Sequence, residues 1–224
     1  MHHRTTLEVN GCIITTLRDI LPTSGPMKML IIGKTPAPVS VAAGHYFQGR
    51  QGQAFWRMLK QYELLRVPRG KFEDEVLLDH GYGITDIAKA PREFGNEPSD
   101  DEYREGFARI RDFARRLRPH ILLFVYKRVL DETIRHGHGP GPRSVYGFNK
   151  ELDALFGSRV FAFPMPGTPC TKETARRVMR ELRSELDGCS PSHGCWCQVL
   201  AGASVRAPGR QQRRLRGMQS VERS

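Results

Sequence analysis

Short apolar runs alternate with stretches whose apolar residues return every three or four positions, and this confines the chain to a β/α alternation. The runs are Met27–Ile32 (MKMLII), ended by Gly33; Val76-Leu77-Leu78, resuming as Gly81–Ile87 (GYGITDI); Ile121–Tyr126 (ILLFVY); and Val160–Phe163 (VFAF). They are brief and lack polar alternation, as strands of a mostly parallel sheet covered on both faces do.

Between them lie helical patterns. Phe55, Met58, Leu59 and Tyr62 share one face of a helix over Gly52–Tyr62. Ser99 and Glu102 have capping-box spacing ahead of Tyr103, Phe107, Ile110, Ala114 and Leu117, and Arg118-Pro119 stops that helix. A short helix is expected at Arg128–Arg135, then a Gly/Pro loop over His136–Pro142 with His136 and His138 solvated. Thr171 opens a last helix with Ala175, Val178, Met179, Leu182 and Leu186 inward, closed by Gly188. The expected fold is a three-layer α/β/α sandwich with a short, mostly parallel central sheet. Residues 1–17 read as an N-terminal extension, 18–188 as the α/β domain, and 189–224 as a basic, disordered tail rich in Gly, Ser, Pro, Gln and Arg.

Composition narrows the partners. The net charge is +11, of which residues 189–224 carry +5. A basic body suits a polyanion, because phosphate contacts release counterions. No apolar run is long enough to span a bilayer and no signal-peptide core follows Met1-His2-His3-Arg4, so no membrane partner and a cytoplasmic location are expected. Five cysteines form no regular framework, and Cys189, Cys195 and Cys197 with His193 lack paired metal-ligand spacing. No metal and no cofactor is expected.

In a parallel sheet the ligand lies beyond the carboxyl ends of the strands. Three loops qualify: Gly33–Gly52, Gly81–Pro91 and Pro164–Thr171. The first is rich in Gly and Pro, so backbone amides can approach a ligand, and Tyr46 and Phe47 offer flat faces for either a base or the core. A phosphate-binding P-loop at Gly33-Lys34-Thr35 is excluded, since Lys28 stands where its first glycine belongs and Pro36 blocks the helix that must follow. The third loop, PMPGTPC, is stiffened by its prolines.

Taken in order, these segments resemble the mismatch-specific branch of the uracil-DNA glycosylase superfamily. The resemblance runs through Asp19-Ile20-Leu21-Pro22, a strand, G-x-x-P at Gly33–Pro36, G-H-Y-F-x-G at Gly44–Gly49, Phe55-Trp56, GYGITD at Gly81–Asp86 and Met165-Pro166-Gly167-Thr168-Pro169 after the last strand. It covers roughly residues 18–187. It implies excision of a damaged or mispaired base from double-stranded DNA by a monomer. Phe47 would stack on the extruded base, with Tyr46 beside it, and Ser40 and the backbone from Gly33 would contact its edge. Met165, Pro166, Gly167, Thr168 and Pro169 would enter the minor groove, with Thr171, Lys172 and Arg176 near phosphates; a helix N-terminus there is itself a phosphate site.

Two positions depart from the family pattern. Thr35 stands where the family has its water-positioning Asn, and Met165 where it has the Asn that opens the wedge loop. Asp86 is therefore the candidate carboxylate for orienting water and stabilising an oxocarbenium-like sugar, or else it caps the loop or pairs with Lys89. Thr35 can hold a water, and His45 can meet the base or bond to backbone. Besides a glycosylase, a catalytically silent DNA-binding member and a nucleoside-processing enzyme fit the sequence.

Overall fold

The structure, a computed structural model, describes residues 2–9, 11–93 and 95–188. The expected disordered tail and its cysteines lie outside the described residues. Among those described, no helix is long and apolar enough to cross a membrane.

The chain opens on an antiparallel hairpin, β1 (Arg4–Val9) and β2 (Cys12–Leu17). Patterning places no strand there, although Asn10-Gly11 is a strong hairpin dipeptide, and Gly11 takes the left-handed φ of 76° such a turn needs. Next come β3 (Met29–Gly33), α1 (Pro38–Ala43), α2 (Arg50–Gln61), β4 (Tyr82–Asp86) and α3 (Asp100–Leu117). They are followed by β5 (Ile121–Phe124), α4 (Lys127–Gly137), β6 (Gly147–Phe148), α5 (Lys150–Phe156), β7 (Arg159–Ala162) and α6 (Lys172–Gly188).

Five strands form one sheet in the order β4-β3-β5-β7-β6, parallel except for β6. Alternate residues of each strand face opposite layers. Met29, Ile31, Leu123 and Phe161 pack with Phe55, Trp56 and Leu59 of α2 and with Val178, Met179 and Leu182 of α6. Leu30, Ile32, Leu122 and Phe124 pack with Tyr103, Phe107 and Ile110 of α3, Leu130 of α4 and Phe156 of α5. The result is the three-layer α/β/α sandwich. Burying each such side chain contributes about 1.5–3 kcal/mol, far more than helix propensity, so the apolar stripes decide the layers. Ile20 bonds both ways with Ile84 (3.0 and 2.9 Å), capping the exposed edge of β4.

The chain leaves β3 for β4 on one side and returns to β5 on the other, so β3 lies at the topological switch point, where such sheets bind ligands.

Two local expectations are corrected. Val76-Leu77-Leu78 is not strand: Glu73–Val76 and Leu78–His80 form successive 3₁₀ turns. Glu75 accepts the Phe72 N–H (2.9 Å) and Leu78 is 47% exposed, so the apolar triplet follows turn chemistry, not the sheet. His136 is not in a loop, because α4 continues to Gly137. Its ring stacks on Tyr103 at 5.6 Å and lies 3.4 Å from both Glu132 and Asp100. Gly137 permits this extension, since a Cβ there would strike Phe107 at 2.2 Å.

Candidate active site

Parallel pairing places Gly33 opposite Asp86 on the last rung between β3 and β4. A Cβ at Gly33 would lie 2.1 Å from Asp86 Oδ1 and 3.1 Å from the Phe47 ring. A side chain at Gly33 would collide with the carboxylate and press on the ring over the end of β3. Phe47 adopts a left-handed φ of 59°, a conformation costing a bulky residue about 1–3 kcal/mol. Gly52 makes room for it, because a Cβ there would strike the Phe47 carbonyl oxygen at 2.3 Å. The ring packs on Phe55 and Trp56 at 5.3 and 5.5 Å, half-buried.

Asp86 is fully buried, and neither carboxylate oxygen has a hydrogen-bond partner among the described residues. Burial pushes its pKa up from 3.8 to about 7, with Asp19 adding to the rise and Lys89 and Arg109 opposing it. The expected alternative, a pair with Lys89, does not form. Lys89 Nζ donates to Asp19 Oδ1 at 2.8 Å, as does Thr85 Oγ1 at 2.7 Å. Arg109 joins the same network, donating to Asp19 Oδ2 (3.2 Å), Thr85 Oγ1 (2.9 Å) and the carbonyls of Asp86 and Ile87. These cations hold the loop after β4 and leave the Asp86 carboxylate bare. An orphaned buried acid costs stability, and such groups concentrate at functional sites.

The sequence profile of the Uracil DNA glycosylase superfamily matches residues 23–182, a span containing Gly33, Phe47 and Asp86. The chain belongs to the uracil DNA glycosylase superfamily. A protein of Schizosaccharomyces pombe (strain 972 / ATCC 24843), named G/U mismatch-specific uracil DNA glycosylase, is 31% identical over 98 residues. That stretch is 43% of this chain and 30% of the relative's length.

For a member of the superfamily, the other candidate residues divide into those at the site and those in the frame. Thr35 lies in the loop after β3 and Ser40 in the short helix α1 that follows it. Thr35 is half-buried, and the buried Ser40 hydroxyl accepts the Gln48 N–H at 3.0 Å, closing the turn that carries Phe47. Tyr46 presents no stacking face, contrary to expectation. It is 1% exposed, its hydroxyl donates to the Arg18 carbonyl (3.1 Å), and its own carbonyl accepts from Trp56 Nε1 (3.1 Å). His45 is likewise in the frame: Nδ1 and Asp74 Oδ1 share a hydrogen bond of 2.9 Å and the ring stacks on Phe72 at 3.6 Å.

The loop after β7 needs one correction. Met165, expected in the minor groove, is 1% exposed and belongs to the core cluster with Phe163 and Phe55. Thr168 N–H bonds back to the Met165 carbonyl at 3.2 Å, with Pro166 and Gly167 (φ 88°) between them. Proline then glycine suits the two central positions of a type II turn. The apex is thus Pro166-Gly167, which is exposed with Pro169, while Thr168 is partly exposed and Met165 anchors the turn from beneath. Thr171 Oγ1 accepts the Thr174 N–H at 3.1 Å as an N-cap of α6, leaving Lys172 and Arg176 exposed.

Sequence reasoning missed the Asp19–Lys89–Arg109 network and Asp74. Arg109 sits between Gly106 and Phe113 on the buried side of α3, and that placement was the available signal. A concavity of about 470 Å³ is lined by Val145, Tyr146, Phe148, Arg159 and Arg177, and another of about 370 Å³ by Leu21, Pro22, Leu78 and Tyr82. Neither includes Asp86, whose chemistry, not volume, marks the site.

Proposed function

We propose that the chain is a monofunctional DNA glycosylase that extrudes uracil, or another deaminated or mispaired base, from double-stranded DNA and hydrolyses its N-glycosidic bond. One observation carries the reading: a fully buried, unpartnered carboxylate, Asp86, and the half-buried Phe47 ring both crowd the side-chain-free face of Gly33 at the carboxyl ends of β3 and β4. The ring offers a face for the flipped base. The carboxylate stabilises the oxocarbenium-like sugar as the C1′–N bond breaks and its electron pair leaves on the base, which takes up a proton from solvent as it departs, a proton Asp86 later returns to solvent. A water oxygen then bonds to C1′ and its proton passes to Asp86.

A pKa of about 7 suits that role, because about half of the groups are ionised at neutral pH and the carboxylate is still basic enough to take a proton. Water as the nucleophile is supported by Lys34, whose ammonium is tied to the Asn96 carbonyl (2.9 Å) and Glu97 (3.3 Å) and so is not a free amine. Asp86 is sealed from solvent, so base entry requires movement of the Phe47 ring or the loop after β3. Pro166, Gly167, Thr168 and Pro169 meet the groove, and Thr171, Lys172 and Arg176 meet phosphates.

The test uses labelled duplexes carrying uracil, hypoxanthine, xanthine or G·T, followed by alkali. Strand breaks are expected for uracil at least. Asp86→Ala should reduce them by about 10²–10³-fold, the usual cost of one transition-state charge stabiliser, whereas Thr35→Ala should act within about tenfold. Tight duplex binding without any abasic product would make the chain a silent binder.

A further inference from the structure

Away from Asp86, three buried groups converge where the hairpin meets the loop that carries Phe47. His3, His45 and Asp74 each offer a ligand atom, and these atoms lie within 4.8 Å of one another. All three residues are buried, at 5%, 1% and 1% exposure. Asp74 is held in place by the Tyr46 N–H on Oδ2 (2.7 Å) and by His45 on Oδ1 (2.9 Å). His3 is different: both ring nitrogens are buried without a hydrogen-bond partner, and Nε2 lies 3.9 Å from Asp74 Oδ2. A buried imidazole left wholly unsatisfied is destabilising unless something occupies the space beside it.

We propose that His3, His45 and Asp74 bind one divalent transition-metal ion of the zinc class. Two imidazoles and one carboxylate are a borderline donor set that favours such an ion over magnesium or calcium. The ion's place is structural. His3 precedes β1 and its N–H donates to the Gly44 carbonyl (2.8 Å), His45 lies two residues before Phe47, and Asp74 sits in the first 3₁₀ turn. The metal clasps the hairpin to the segment that presents Phe47.

Full-length protein stripped with EDTA is titrated with Zn(II) by calorimetry and with Co(II) by absorption spectroscopy. One equivalent is expected at this site, with a Co(II) spectrum of nitrogen and oxygen ligands. His3→Gln should lose that equivalent, weakening binding by about 100-fold or more while circular dichroism stays native; His45→Gln is the second variant. Absence of Zn(II) binding by the unmutated chain overturns the proposal. So does an equivalent retained in both variants, or a Co(II) thiolate charge-transfer band that moves the ion to cysteine.

Discussion

Asp86 and Gly33 are one unit, since the carboxylate exists only because the residue opposite has no side chain. Gly33→Ala is therefore expected to abolish excision by displacing the acid or Phe47, and a duplex assay beside a melting curve checks whether activity falls further than stability. Asp86 also predicts a pH signature in folding. Its folded pKa of about 7 lies above its ordinary 3.8, so the native state holds a proton that the unfolded chain releases between those values. Stability is full below the lower value, falls as pH rises, and levels off above about 7. Asp86→Asn, which carries no charge, should be more stable than the unmutated chain at pH 8 by roughly a few kcal/mol and nearly equal to it at pH 4. Urea titrations at both pH values measure this. Asp86 was legible as the candidate acid because its motif ends a strand; its missing partners were not, because Lys89, one residue beyond Ala88 and Ile87, turns to Asp19 through space.

At the scale of elements, the loop after β7 separates anchor from apex. Met165→Ala should cost about 2–5 kcal/mol of stability as a cavity in the core, with little specific effect on DNA. Chemical denaturation compared with gel-shift affinity tests that division. The start of α6 carries the electrostatic prediction. If Lys172 and Arg176 each meet a phosphate, changing both to Ala flattens the slope of log affinity against log salt by about 1.8. The long helices were readable because their apolar stripes recur at the helical period, and the central strands because their short runs are apolar and ended by breakers. Short elements escaped: α5 spans only Lys150–Phe156, too few residues to show a period, and β6 is Gly147-Phe148. The loop turn was readable in principle, since Pro166-Gly167 fixes its apex, but the family pattern drew attention to Met165 instead.

For the whole molecule, the order β4-β3-β5-β7-β6 brings the ends of β3 and β4 together at the switch point, and the site follows from that topology. Alternating buried runs implied the parallel sheet, and the match over residues 23–182 shows the family. The sequence left the joining of distant segments invisible: Asp19 to Arg109, and His3 to His45 and Asp74, meet only in three dimensions. The central claim is that the Asp86 carboxylate performs the chemistry, and single-turnover excision of uracil from duplex DNA, followed from pH 5 to 9, tests it most directly. The rate should climb with pH and level off above about 7 in the unmutated chain, and be flat and at least about 100-fold slower in Asp86→Asn. Equal rates in the two proteins across that range contradict it.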